Sequence, residues 1–413
     1  MNGYKLLRVL GYNSNNNINE ELKMRKNKYN SILTDFYINP FFHGESIKES
    51  EYELFCNPIS DIRILIEEIL DNSKNIDKIA EQIPIAARKA VINRIIVNEI
   101  QSTNDIEGVK STKKELRNTL EYVDRGEESE FSRIISTYLN ILNSDNIYIN
   151  KISDIRALYD DLFRGSDSVD EYVEGDLFRE EFAYIYINNQ KIHCGTKASE
   201  INAKMDKLVN LMNRKDIPFL IKAAICHYII EYIHPFYDGN GRLGRFMLSV
   251  YLKRKLDVYS ALSVSYSINQ NKSKYEKLFL EVSNKSNYGE LTHFVLGILE
   301  LIKDGQNSVK ELIETSIMKM ENIVNTLDGM VQDGEIDERE FNILFLYAQV
   351  YAFNEYEAIL DNQVVSTYSE KGDYKKVEVK SIIQKLEDRG YLITKKRRPK
   401  IHEISRDIKL RFE

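Results

Sequence analysis

Apolar residues recur along most of this chain at the three-to-four-residue spacing of amphipathic helices and seldom with the alternation of strands. Ile62, Leu65, Ile66, Ile69 and Leu70 make the first clear stripe, and Ile85, Ile92, Ile95, Ile96 and Ile100 a second. Further stripes lie near 130–143 (Ile134, Ile135, Tyr138, Leu139, Leu142), 153–163 (Ile155, Leu158, Leu162) and 199–213 (Ile201, Met205, Leu208, Val209, Met212). From Ile217 to Ile233 the run is almost wholly apolar, long enough for about four turns of a buried core helix. Phe246 to Leu252 repeats that character. One stretch reads differently: Tyr184 to Gly195 places β-rich residues on either side of Asn188-Asn189, which predicts a hairpin. Thr112-Lys-Lys-Glu115 has the form of a capping box opening a helix. Residues 1 to about 35 are rich in Asn, Lys and Glu with weak periodicity, which predicts a loosely packed arm. The expected fold class is mainly all-α with one small hairpin.

Beyond an apolar helix from Leu291 to Ile302, the pattern becomes that of a polar amphipathic connecting helix over 304–335 (Val309, Leu312, Ile313, Ile317, Met320, Ile323). Helices near 338–353, 355–362 and 377–390 follow, then a strand at Tyr391–Thr394. A basic turn, Lys395-Lys-Arg-Arg-Pro-Lys400, precedes a last strand from Ile401. Helix, helix, helix and basic hairpin is the order of a winged helix. The predicted organisation is 1–145, an N-terminal helical region; 146–303, a central core; 304–335, a linker helix; and 336–413, the winged-helix-like domain.

At 413 residues the chain exceeds one ordinary core, which agrees with several domains. A net charge of −7 argues against wholesale nucleic-acid binding. The tail from 365 onward nevertheless holds about 14 basic and 8 acidic side chains, so two readings of it stand side by side. One is duplex DNA binding; the other is a protein-interaction or homodimer module with a charged wing. Cys56, Cys194 and Cys226 are few and unpatterned, as reduced thiols of a cytoplasmic protein would be. No apolar run reaches membrane-spanning length, so no membrane partner is expected.

Between the two most apolar helices stands His234-Pro-Phe-Tyr-Asp-Gly-Asn-Gly-Arg-Leu-Gly-Arg245. Proline after His234 ends the first helix with the imidazole at its edge. Gly239-Asn240-Gly241 can bend sharply and opens into the next helix, whose N-terminal N–H groups and dipole suit phosphate oxygens. Arg242 and Arg245 project from that first turn, Asp238 offers a hard oxygen for Mg²⁺, and His234 remains as a titratable base. A capped helix start with two surface arginines would need none of these types in this order. Upstream, Thr103-x-x-x-Glu107-Gly108 ends a helix, with Gly108 as its left-handed C-terminal residue. Glu107 there is either a solvated terminal acid or the partner of an arginine.

The twelve-residue string resembles the signature of the Fic family, His-Pro-Phe-x-Asp-Gly-Asn-Gly-Arg-x-x-Arg, at every signature position. The resemblance spans about residues 40–300. It implies a helical core with a small hairpin flap, and transfer of AMP from ATP to a Ser, Thr or Tyr hydroxyl of a target protein or of the chain itself. By it, His234 is the base and Asp238 the Mg²⁺ ligand. Gly239, Asn240 and Gly241 cradle the α- and β-phosphates, and Arg242 and Arg245 hold the β- and γ-phosphates. Thr103, Glu107 and Gly108 match the family's inhibitory motif, whose glutamate pairs with the second signature arginine, here Arg245, and blocks the γ-phosphate. The hairpin occupies the flap's position, so Ile187, Asn188, Asn189, Gln190, Lys191 and Ile192 would dock an extended target segment by strand addition. Tyr275 matches an element flanking the adenine pocket, and Gly175-x-x-x-Arg179 a weak element ahead of the flap. Gly241 stands where a phosphate-transferring variant of the family carries Lys. The implied function is an Mg²⁺-ATP-dependent adenylyltransferase restrained by Glu107. The alternatives are removal of AMP at the same site, or a DNA-binding regulator acting through the winged helix.

Overall fold

A computed structural model describes residues 3–12, 17–28, 30–42, 45–47, 51–83, 85–124, 126–127, 129–143, 147–173, 176–187, 190–353, 360–370 and 374–412. It is mainly helical, with small two-stranded antiparallel sheets. The chain divides into two compact units, Met1–Asp77 with Asn93–Val309, and Lys78–Ile92 with Lys310–Glu413.

The first unit is built around the helix Phe219–Ile233, from which Ile221, Ala224, Ile225, Ile229 and Ile233 are completely removed from solvent. Burying each such isoleucine is worth about 1.5–3 kcal/mol relative to exposure, so this helix has no freedom to turn. Ala198–Asn213 packs on one side of it and Asn240–Lys253 on another. The helix Ile85–Glu107 ends at Gly108, whose φ of +76° is the left-handed conformation expected there. The predicted capping box is present, with Glu115 N–H donating to Thr112 Oγ1 at 3.2 Å and Thr112 N–H to Glu115 Oε2 at 2.8 Å.

The N-terminal segment is not the loose arm its periodicity suggests. Leu7 is fully buried, and Ile32–Ile38 pairs antiparallel with Tyr52–Cys56. Arg25, 2% exposed, donates to Glu290 at 2.7 Å and to Glu21 at 2.8 Å, with its guanidinium 4.1 Å from the centre of the Tyr4 ring. Apolar periodicity missed this segment because it is docked through a buried ion pair.

Helix Thr292–Gln332 is continuous where the sequence suggested an apolar helix followed by a separate linker helix. Gly305 does not break it. A Cβ there would lie 2.6 Å from Ser263 Oγ, so the glycine serves close packing. In the second unit, Ile313, Met320, Ile323, Leu327 and Met330 of this helix contribute to a separate core. Helices Glu338–Phe353, Asp361–Glu370 and Lys376–Asp388 follow, then the hairpin Leu392–Arg397 and Lys400–Ile404, and the helix Arg406–Phe412. The first hairpin strand runs further than expected, so Lys395, Lys396 and Arg397 are strand residues, not turn residues. The helix expected at 355–362 falls largely outside the described residues. Among the described residues no helix is long and apolar enough to cross a membrane.

Replacing Arg25 by Leu should lower stability by about 3–5 kcal/mol, because Glu290 would keep its burial and lose its cation. Thermal unfolding of the full chain checks this, and an unchanged midpoint would contradict the docked N-terminus.

Candidate active site

The core helix Phe219–Ile233 stops at His234, which adopts the left-handed conformation (φ 53°, ψ 63°) while its N–H still closes the last turn on Ile230 O at 3.0 Å. A non-glycine residue holds that conformation only where its surroundings fix it. Arg179 supplies much of the fixing. Its Nε donates to His234 O at 2.8 Å and its Nη2 to Thr196 O at 2.5 Å, and its own N–H donates to Pro235 O at 3.0 Å. The exit of the hairpin is tied to the same place, with Thr196 N–H on Ile233 O at 3.0 Å. Gly195 is required there, since a Cβ would lie 2.7 Å from Arg179 Nη2 and 3.2 Å from His234 Cβ. The strands Tyr184–Ile187 and Gln190–Cys194 of that hairpin are antiparallel. Asn188 and Asn189 lie outside the described residues, as does Gly175.

The loop after His234 is pinned from inside. Phe236 is buried and stacked on Tyr159, with ring centroids 3.6 Å apart, and the Tyr159 hydroxyl donates to Asp238 O at 3.2 Å. Asn240 closes the loop with its side chain: Oδ1 accepts from Phe236 N–H at 2.9 Å and Nδ2 donates to Phe236 O at 2.8 Å. Its amide is therefore spent on the protein, and what this position offers a phosphate is backbone N–H at the head of the helix Asn240–Lys253. Gly239 caps that helix at φ +78°, against the Phe163 ring.

The two arginines leave the helix toward different partners. Arg242, 1% exposed, donates to Ser168 O at 2.7 Å and Ser168 Oγ at 3.2 Å, lies over the Phe163 ring, and is 3.7 Å from Asp238 Oδ2. Burial pulls its pKa down, and Asp238 and Glu107 oppose that. Asp238 keeps about a third of its side chain exposed and accepts from Asp170 N–H at 3.0 Å. Among the described residues there is no cluster of three or more acids, histidines or cysteines that would cage a metal. A single open carboxylate fits Mg²⁺ of the kind held partly by substrate phosphates.

Arg245 is also 1% exposed and is held from the end of the helix Ile85–Glu107. Its Nε donates to Thr103 Oγ1 at 2.9 Å, and its Nη2 donates to Thr103 O at 3.2 Å and to Glu107 Oε1 at 2.8 Å. Burial opposes its charge, but Glu107, with Tyr275 and Glu231 adding to it, leaves its pKa above the ordinary arginine value. That carboxylate also presses on the head of the helix, because a Cβ at Gly241 would lie 2.2 Å from Glu107 Oε1. Glu107 thus sits where an anion gains from both a guanidinium and a helix N-terminus.

The register of this contact is set one level further back. Glu99, fully buried about two turns before Glu107, accepts from Ser265 N–H at 2.9 Å and Tyr266 N–H at 3.1 Å. Lys272 reaches Ile106 O at 2.8 Å. Tyr275 belongs to the core, 6% exposed, with its hydroxyl 2.7 Å from His227 Nε2. The expected adenine-side position is therefore a buried one, with its hydroxyl already engaged. His227 is a satisfied core histidine, as its place in an apolar helix predicts; burial, and then Arg245, push its pKa down to about 3.

Sequence reasoning passed over Glu231, whose only signal was a carboxylate in a helix otherwise apolar around it. Its Oε1 is enclosed without a hydrogen-bond partner, and burial raises its pKa to about 8, with Arg245 opposing and Glu107 adding. The folded state keeps this proton across a range where the unfolded chain has lost it. The stabilisation is complete below the ordinary carboxylate pKa and is lost as the pH rises toward about 8. Stability should fall across that window by up to about 1.4 kcal/mol per pH unit, and Glu231→Gln should flatten the fall. Denaturant titrations of both proteins at several pH values measure it.

The profile described as Fic/DOC family matches residues 148–252. A relative named protein adenylyltransferase Fic, from Drosophila mojavensis, is 25% identical over 298 residues, 68% of this chain and 55% of the relative. A probable protein adenylyltransferase of Aquifex aeolicus is 40% identical over a shorter 65 residues, 16% of this chain and 18% of the relative. This chain spans about half the length of the Drosophila relatives it matches. A Fic family protein from Desulfovibrio desulfuricans shares the fold, with a TM-score of 0.51 at 17% identity over 84% of this chain and 97% of that one. Residues 148–252 match the Fic/DOC family profile, and the named relatives and the shared helical fold support a Fic family protein.

Proposed function

We propose that this protein transfers AMP from ATP to a hydroxyl of a protein, and that Glu107 restrains the transfer by holding Arg245. The observation that carries the reading is the Glu107–Arg245 pair, 2.8 Å long, closed over the head of the helix that follows His234. In this reading His234 takes the proton of a Ser, Thr or Tyr hydroxyl, whose oxygen bonds to the α-phosphorus as the bond to the β-phosphate bridge breaks and pyrophosphate leaves. Backbone N–H groups of Asn240 and Gly241 face the α- and β-phosphates, and Arg242 and Arg245 meet the outer ones. Asp238 would hold Mg²⁺, which when bound spreads the triphosphate's charge. The hairpin exit, fixed on Ile233 O, would present the hydroxyl of a target, or of a second copy of this chain, beside His234.

Glu107 and the γ-phosphate compete for one guanidinium. The acid is one-third exposed, so it can leave without unfolding the helix that carries it. Incubation with Mg²⁺ and ATP labelled at either the α- or the γ-phosphorus tests the chemistry. Only the α-label should enter protein, Glu107→Gly should raise the rate at least about tenfold, equivalent to about 1.4 kcal/mol, and His234→Ala should lower it by about 10²–10⁴-fold. Incorporation of the γ-label, or an unaffected His234→Ala rate, would overturn the assignment.

A further inference from the structure

The hairpin of the second unit concentrates positive charge that the protein does not answer. Arg397 lies directly across from Lys400, a like-charged cross-strand pair that costs stability by itself. Lys396, Arg397 and Arg398 are exposed and, among the described residues, have no acidic partner. The nearby acids are already committed. Glu387 accepts from Thr394 and lies 3.1 Å from His402 Nε2 and 3.2 Å from Lys400 Nζ. The Thr394 hydroxyl, with His402 and Lys400 adding to it, holds the Glu387 pKa down to about 2.

The helix Lys376–Asp388 continues the same surface. Val379, Ile383 and Leu386 bury one face, while Lys376, Lys380, Ser381 and Gln384 are exposed on the other. Val377, 79% exposed, sits among these polar residues without an apolar neighbour to cover it. Hairpin and helix are joined, since Lys400 Nζ lies 3.2 Å from Gln384 Oε1. Their mutual orientation is locked from below by fully buried His402, whose Nδ1 is 2.9 Å from Asp361 at the start of an earlier helix. Leu360, just before that helix, bridges Ile401 and adds a third strand position to the hairpin. Helix, strand position, helix, helix and hairpin is the arrangement of a winged helix.

From this surface we infer that the second unit binds duplex DNA. The helix Lys376–Asp388 enters the major groove, and Lys396, Arg397 and Arg398 contact the flanking phosphates. The major groove is about 12 Å wide and admits one helix, whereas the deep, narrow groove of duplex RNA does not. Val377 has the character that meets a thymine methyl, and Lys380 the donor that reads purine edges. Among the described residues neither helix face nor hairpin exposes an aromatic ring, which single-strand binding by stacking would need. The chain's net charge of −7 makes the contact local and strongly salt-dependent.

The test uses the full chain and fluorescently labelled duplexes of random sequence, read by anisotropy over a salt series. The wild type should bind duplex at low salt. The combined Lys396→Ala, Arg397→Ala and Arg398→Ala variant should bind at least about tenfold more weakly there, with the slope of log affinity against log salt reduced by about 2–3. Val377→Ala should leave that slope in place and flatten the base preferences selected from a random duplex pool. Thermal unfolding of every variant should match the wild type, since all these residues are exposed. No duplex binding at low salt, an unchanged slope in the triple variant, or capture by anionic vesicles in place of duplex would each overturn the inference.

Discussion

A single buried guanidinium limits what this site can do. Arg245 is almost without solvent, so its charge must be met by protein or by ligand, and the described structure meets it with Thr103 and Glu107. A buried cation cannot be left unanswered, which makes exchange of one anion for another the only low-energy way to open the site. Glu107 is suited to that exchange because it is only part-buried and lies at a helix end. Glu99, about two turns back, is fully buried and bonded to two backbone N–H groups, so it anchors the helix while its last turn can yield.

The loop after His234 is rigid for complementary reasons. Asn240 and Phe236 tie it to itself, Tyr159 lies flat against it, and Arg179 gathers the carbonyls around His234. These contacts fix the backbone from His234 to the head of the following helix. With a rigid backbone and one exchangeable ion pair, the proposed function makes occupancy of Arg245, more than loop motion, the control on activity.

Much of this site was legible as residues and little of it as contacts. The twelve-residue string stood out as a candidate site because no packing requirement explains a histidine, an acid, glycines and arginines between two apolar helices. Glu107 was visible through Gly108, whose left-handed cap marks the helix end. The string could not disclose that the Asn240 amide is used up within the loop, because that depends on a turn bringing Phe236 back to it. Arg179 was quoted only as part of a weak element, yet it touches carbonyls far away in sequence. Glu231 carried a readable signal, a lone carboxylate in a core helix, that periodicity arguments discount. The N-terminal segment misled for a related reason: its docking relies on Arg25 and Glu290, and hydrophobic patterning does not register ion pairs. In the second unit the order of elements was apparent. The length of the basic strand was not, because lysine and arginine have little intrinsic preference for strand.

Competition for Arg245 is measured most directly by comparing ATP with ADP in calorimetric binding to the full chain with Mg²⁺. While Glu107 holds the guanidinium, the γ-phosphate gains no partner, and ATP and ADP should bind the wild type about equally. In Glu107→Gly the γ-phosphate takes the freed guanidinium, and ATP should gain at least about tenfold over ADP, about 1.4 kcal/mol. A wild type that already prefers ATP as strongly as the Glu107→Gly variant would contradict the account.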